Sequence, residues 1–183
     1  MTDTYHDKNR IQDVKFNENI KFNENIKNIV DDIDIGGKFG SGAEKKILPL
    51  FCDGTIRKDK KLYDFIQPNG LKIELKKMRD KQWFDIGKYY NLSQEEKEIV
   101  MLFILHNDGK INHKLYNIKL GDFLNICCND DDCNRWGWDW ENIKICWNQK
   151  QKYKSFQSKA LIEMINFIEK YENKFNIFNI DEL

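Results

Sequence analysis

The sequence lacks several features that would assign the chain to large classes of protein. No stretch of the 183 residues is long and apolar enough to span a membrane, and residues 1–10 are too polar for a signal peptide. We therefore expect a cytoplasmic protein without a membrane partner. Net charge is also absent, because 30 basic side chains balance 30 acidic ones. That balance argues against tight, indiscriminate coating of DNA.

Metal-binding cysteine pairs are missing as well, since the chain has no Cys-x-x-Cys motif. An odd number of cysteines without a signal peptide favours reduced thiols inside the cell. A zinc site built from the last four cysteines is the alternative, but neighbouring cysteines rarely bind one ion together, so idle thiols are favoured. The five cysteines are Cys52, Cys127, Cys128, Cys133 and Cys146.

The length suits one domain, with enough Ile, Leu, Phe and Trp for a real core. We interpret residues 1–35 as a helical, low-complexity N-terminal segment, since Lys-Phe-Asn-Glu-Asn-Ile occurs there twice in tandem. Residues 36–183 form the main domain. Within it, residues 36–90 carry 13 basic and 7 acidic side chains, a net charge of +6, while each flank carries −3. This basic centre suits a polyanionic partner.

The centre also contains a predicted β-hairpin over residues 62–76. Two short apolar runs flank Asn69-Gly70, a strong signal for a tight turn. Because side chains alternate along a strand, Glu74 and Lys76 share one face, and the hairpin brings Asp64 next to Glu74. Two carboxylates and an ammonium can hold a divalent metal and activate water against a phosphodiester. The alternative is a solvated hairpin that carries ordinary surface charges.

This arrangement resembles the PD-(D/E)xK nuclease superfamily, to which many type II restriction endonucleases belong. Asp64 matches the Asp of the motif and Glu74-Leu75-Lys76 matches (D/E)xK, while Tyr63 replaces the Pro. The resemblance covers roughly residues 36–106. It implies an α/β fold with a restriction-endonuclease-like mixed β-sheet flanked by α-helices.

The resemblance also implies a site. Asp64 and Glu74 would bind one or two Mg²⁺ ions, with the Leu75 carbonyl and Glu44 completing the ligand shell. Lys76 would orient or help deprotonate the attacking water. Glu44 is equally well explained as a helix N-terminal charge stabilised by the helix dipole. DNA contacts are expected near the mouth of the site, from Lys77, Arg79, Lys81 and Gln82.

By the same resemblance, we expect a type II restriction endonuclease that cuts double-stranded DNA as a homodimer, with a cognate DNA methyltransferase as a further partner. Two alternatives stay open. One is a structure-specific nuclease, such as a junction resolvase or repair enzyme. The other is a non-catalytic module that binds nucleic acid and would hold DNA without Mg²⁺.

Other local patterns predict the elements around this site. The basic run at residues 57–61 is a solvated loop or a phosphate contact. Ser93 starts a capping box, and residues 99–105 form a central buried strand that ends at His106. Helices are predicted over residues 43–51 (limited by Pro49), over the aromatic group at 83–90, over 120–127 and over 155–171. The last residues of the chain are expected to fray. We also predict a turn at residues 107–110 and a strand at 142–147. The N-terminal segment could form an apolar helical stripe from Phe16, Ile20, Ile26, Ile29 and Val30.

Overall fold

A computed structural model describes residues 19–36, 41–58, 60–78, 81–83, 89, 92–129 and 161–183. In this part of the chain the architecture is mixed α/β, and its centre is a six-stranded mixed sheet in the order β1-β2-β3-β5-β6-β8. The strands of that sheet are β1 (Ile56–Arg57), β2 (Phe65–Ile66), β3 (Lys72–Met78), β5 (Val100–Asn107), β6 (Lys110–Lys119) and β8 (Asn176–Asn179). A separate pair consists of β4 (Lys81–Trp83) and β7 (Leu161–Glu163).

Strand β5 lies in the middle of the sheet, as its apolar sequence predicts. It pairs in parallel with β3 and antiparallel with β6, and the other neighbours in the sheet are antiparallel. The predicted turn between β5 and β6 is confirmed, with positive φ angles of 48° at Asp108 and 87° at Gly109. His106 stabilises this turn, because its Nδ1 accepts a hydrogen bond from the Gly109 N–H at 3.2 Å. The strand-end histidine is therefore structural.

Alternation along β5 divides the core into two layers, one on each face of the sheet. Val100, Leu102 and Ile104 join one cluster, and Met101 and Phe103 join the other. The first layer is covered by α1 (Ile26–Asp32) and α2 (Ser41–Ile47). The second is covered by α4 (Leu120–Asn129) and α5 (Met164–Lys170). A mixed sheet flanked by helices is thus confirmed at the level of α/β class.

The N-terminal segment shares the first core layer. Ile26 and Val30 of α1 are buried against it, as the predicted apolar stripe requires, whereas Ile20 is buried outside the helix. Gln67 ties the segment to the β2–β3 turn, because its amide exchanges two hydrogen bonds with the Lys21 backbone, at 2.8 and 3.0 Å. Residues 19–35 are therefore packed onto the sheet.

Several local predictions agree with the structure. Helix α2 gives way to a 3-10 turn over Leu48–Leu50 that accommodates Pro49. The capping box is formed at the start of α3 (Gln94–Lys97), with reciprocal hydrogen bonds of 3.0 and 3.1 Å between Ser93 and Glu96. Helix α4 lies where residues 120–127 predicted a helix. No helix among the described residues is long and apolar enough to cross a membrane. Cys52 and Cys127 are reduced cysteines.

Two helix predictions are wrong in part, because strand pairing replaces them. Trp83 belongs to β4 and pairs with Leu161 of β7, although helices were predicted at both places. Aromatic and branched residues pack well across paired strands, and this non-local pairing outweighs helical spacing. The chain end is not frayed either, since β8 joins the main sheet and Ile180 is fully buried. The predictions that concern residues 1–18, 84–88 and 130–160 lie outside the described residues.

Candidate active site

The predicted hairpin is present and brings the two halves of the motif together. β2 and β3 pair in antiparallel register, with Phe65 opposite Ile73 and Ile66 opposite Lys72. Gly70 closes the turn with a positive φ of 87°, and its N–H donates to the Gln67 carbonyl at 2.9 Å. A residue with a Cβ adopts that φ only with strain, which explains glycine after asparagine here.

Asp64 lies immediately before β2, where the two strands part. Its Oδ2 accepts a hydrogen bond of 2.7 Å from the Leu75 N–H on β3. Its own N–H donates to the Ile73 carbonyl at 2.8 Å. The carboxylate therefore takes the place of a backbone acceptor at the edge of β3. This contact fixes Asp64 beside Glu74, although ten residues separate them in the chain.

Glu74 and Lys76 lie on the same face of β3, and a third residue joins them. Glu74 is only 3% exposed. Its Oε1 accepts hydrogen bonds from Lys76 Nζ at 2.8 Å and from the Tyr89 hydroxyl at 3.1 Å. Lys76 Nζ also lies 5.8 Å from the centre of the Tyr89 ring. A buried carboxylate requires such partners, because an uncompensated buried charge is strongly unfavourable.

Tyr89 is the residue of this cluster that sequence reasoning missed. It is fully buried, and in the sequence it stands in an aromatic group that suggests packing alone. The available signal is chemical, since a buried tyrosine hydroxyl usually finds a hydrogen-bond partner. That signal does not say which of the chain's acidic side chains is the partner.

Glu44 lies in the first turn of α2, as predicted, and it reaches the same site. Its Oε2 lies 3.1 Å from an Arg57 guanidinium nitrogen on β1. It also contributes negative charge and a side-chain hydrogen bond at Asp64. Both interpretations of Glu44 therefore remain compatible with its position: it is a helix N-terminal charge, and it faces the acidic pair.

The electrostatic balance of the site is visible in the pKa of Asp64, which is raised to about 7. Burial is the largest cause, followed by the negative charge of Glu74 and then the charge and hydrogen bond of Glu44. The Leu75 N–H acts in the opposite direction because it stabilises the carboxylate. Burial and two neighbouring carboxylates thus favour the protonated form of Asp64 at this site.

This donor set fits Mg²⁺, which prefers oxygen ligands, keeps several waters and needs only one or two protein carboxylates. Asp64 and Glu74 supply the two carboxylates. The part of the chain that the structure describes contains no group of three or more His, Cys, Asp and Glu side chains arranged as a metal cage. Glu44 lies beside this pair as a third carboxylate, and like Glu74 it is paired with a basic side chain.

One of the four residues expected to contact DNA, Lys77, is directed away from this site. Lys77 lies on the opposite face of β3 from Glu74, and its Nζ donates to the Ile35 carbonyl at 3.2 Å. Lys81 and Gln82 belong to β4. Arg79 lies outside the described residues. The structure thus brings together Asp64, Glu74, Leu75, Lys76 and Glu44, and it directs Lys77 elsewhere.

Comparisons with known proteins leave the family of this chain open. No protein-family model matches the sequence, and no curated protein matches it. Any functional conclusion therefore depends on the geometry of the site and on the motif that predicted it.

Proposed function

We propose that the protein is a Mg²⁺-dependent endodeoxyribonuclease that cuts double-stranded DNA, with the restriction-endonuclease-like fold of PD-(D/E)xK enzymes. One observation carries the proposal: the 2.7 Å hydrogen bond from Leu75 N–H to Asp64, which joins the Asp to the Glu-x-Lys strand. If the motif matched this charged sequence only by chance, there would be no reason for its two halves to form this contact. The burial of Glu74 supports the same conclusion, because ordinary surface charges are exposed.

Asp64, Glu74 and the Leu75 carbonyl would hold the metal, with Glu44 as an accessory carboxylate. When bound, Mg²⁺ supplies Lewis-acid polarisation of the phosphodiester and lowers the pKa of water. The chain's own contribution is positioning. Tyr89 and Glu74 hold the Lys76 ammonium at a fixed place, where it can orient the attacking water and offset the charge that develops on the phosphate.

Among nucleases of this chemistry, we propose a type II restriction endonuclease acting in the cytoplasm. Duplex palindromes have two-fold symmetry, so such an enzyme would act as a homodimer in which each subunit cuts one strand. A cognate DNA methyltransferase acting on the same site would be its partner. A junction resolvase or repair nuclease would use the same residues but would select DNA by shape.

The test is digestion of unmethylated plasmid and phage DNA by the purified full chain, with Mg²⁺ or with EDTA. We expect discrete fragments with Mg²⁺ and none with EDTA. A smear with Mg²⁺ would keep the chemistry but would replace sequence specificity with a structure-directed or non-specific activity. Binding without cleavage in Mg²⁺, across several DNAs, would overturn the nuclease proposal in favour of a binding module.

A further inference from the structure

A short basic loop begins and ends beside the candidate site. It joins β1 to β2, which pair in antiparallel register with Arg57 opposite Phe65. The Lys58 N–H donates to the Asp64 carbonyl at 2.6 Å, so the two ends of the loop are held together. The last residue of the loop is the same Asp64 whose side chain belongs to the acidic pair. The backbone therefore fixes the two ends of the loop beside that pair.

The two halves of this loop differ in chemistry. Lys58, Lys60 and Lys61 are exposed to solvent. Leu62 and Tyr63, in contrast, are partly buried and pack against the second core layer. The apolar half thus anchors the loop, and the basic half is presented to solvent next to the site.

We propose that Lys58, Lys60 and Lys61 bind the phosphate backbone of double-stranded DNA next to the phosphate that is cut. This inference rests on the proposed function for the identity of the polyanion. Without metal, the acidic pair and Glu44 repel DNA, and the two cations at the site, Lys76 and Arg57, are already paired with Glu74 and Glu44. Exposed cations close by would supply the attraction. The sequence-predicted contact Lys77 cannot supply it from its place on the opposite face of β3.

The reach of the loop matches the spacing of DNA phosphates. Asp64 lies three positions after Lys61, which limits their Cα atoms to a distance of about 10 Å at about 3.5 Å per residue. Phosphates of one strand follow each other every 3.4 Å or so along the helix axis. Lysine side chains in this loop can therefore reach phosphates that neighbour the one to be cut beside Asp64. Because lysine is a point charge, these contacts add affinity without sequence preference.

The experiment measures DNA affinity of the full chain as a function of salt, in EDTA and in Ca²⁺, by fluorescence anisotropy with two unrelated duplexes. Loss of three phosphate contacts should make the slope of log K against log salt shallower by about 2.7, at about 0.9 per contact. We expect the triple variant K58A/K60A/K61A to bind both duplexes about 10-fold to 100-fold more weakly at low salt. The matched control removes three exposed lysines elsewhere, K27A/K110A/K174A.

Equal slopes for the loop variant and the control would overturn the inference, as would the absence of DNA binding by the wild-type chain. If the triple variant fails to fold, the charge reversal K60E is measured instead and should also weaken binding. The two proposals fail separately. Loop-dependent DNA binding without any Mg²⁺-dependent cleavage would refute only the nuclease, and cleavage by a chain whose loop variant binds normally would refute only the phosphate contacts.

Discussion

Replacing Asp64 by asparagine should stabilise the metal-free protein at neutral and alkaline pH. Burial and the charge of Glu74 disfavour the ionised carboxylate and raise its pKa to about 7. Asparagine has nearly the same shape, remains neutral, and its oxygen can still accept the hydrogen bond from Leu75 N–H. Asp64, a proposed metal ligand, would thus destabilise the fold as long as no metal is bound.

The magnitude follows from the pKa. A rise from the ordinary 3.8 to about 7 corresponds to about 4 kcal/mol at 1.36 kcal/mol per pKa unit, before any screening. Asp64 is only half-buried, so solvent reduces the expected gain to about 1 to 2 kcal/mol. The folded-state pKa lies above the unfolded one, so the folded wild type binds the proton more tightly. The stability that protonated Asp64 contributes to the folded wild type is fully present below pH 3.8 and is lost as the pH rises to about 7.

The assay is thermal unfolding of wild type and Asp64→Asn in EDTA, at intervals from pH 4 to pH 8. The advantage of the variant should grow up to about pH 7 and then stay level, with about 2 to 4 °C in Tm for each kcal/mol. Mg²⁺ should raise the Tm of the wild type at pH 8 and leave the variant nearly unchanged. Asp53→Asn, at an exposed turn, is the control. If Asp64→Asn were less stable than wild type at pH 8 in EDTA, the ionised Asp64 carboxylate would not be weakening the metal-free fold.

Four further substitutions test other parts of the structure. Tyr89→Phe removes a hydrogen bond to the buried Glu74 carboxylate and should lower the free energy of unfolding, measured by urea titration, by about 2 kcal/mol. An unchanged free energy of unfolding would show that this hydrogen bond does not stabilise the fold. Hydrogen bonds to two aspartates raise the pKa of His113, so His113→Ala should destabilise the protein below pH 6.5 and matter less as the pH rises through the raised pKa. A larger effect at pH 9 than at pH 6 would exclude this. Gly109→Ala should lower the free energy of unfolding by about 3 kcal/mol, because φ is positive there and the new Cβ collides with the segment after α1. Gly70→Ala, with the same φ but open space around the new Cβ, should lower it by only about 1 kcal/mol. Similar losses for the two variants would show that the collision does not occur.

The parts of the fold that the sequence predicts well depend on neighbouring residues. Asn69-Gly70 and the alternation of β3 define the hairpin locally, so the approach of Asp64 to Glu74 follows from the turn. The capping box at Ser93 involves residues three apart. The central strand β5 is an apolar run long enough to be buried on both faces. In each of these cases the physical cause lies within a few residues.

The parts that the sequence does not predict depend on distant partners. Tyr89 meets Glu74 across 15 residues, and Arg57 meets Glu44 across 13. His113 lies between Asp31 and Asp181, which are 82 and 68 residues away. A single sequence carries no local signal for such pairs. The same reason explains β4, since its pairing with β7 requires residues about 80 positions further along the chain.

Single-turnover cleavage of a DNA substrate in Mg²⁺ by wild type, Asp64→Asn, Lys76→Ala and the control Lys110→Ala would test the proposed nuclease site. We expect the control to cut at the wild-type rate. The Asp64 and Lys76 variants should lose about 100-fold or more, the range expected when a positioned catalytic group is removed. Cleavage by Lys76→Ala as fast as by the control would show that Lys76 has no catalytic role and that the site is not the one proposed.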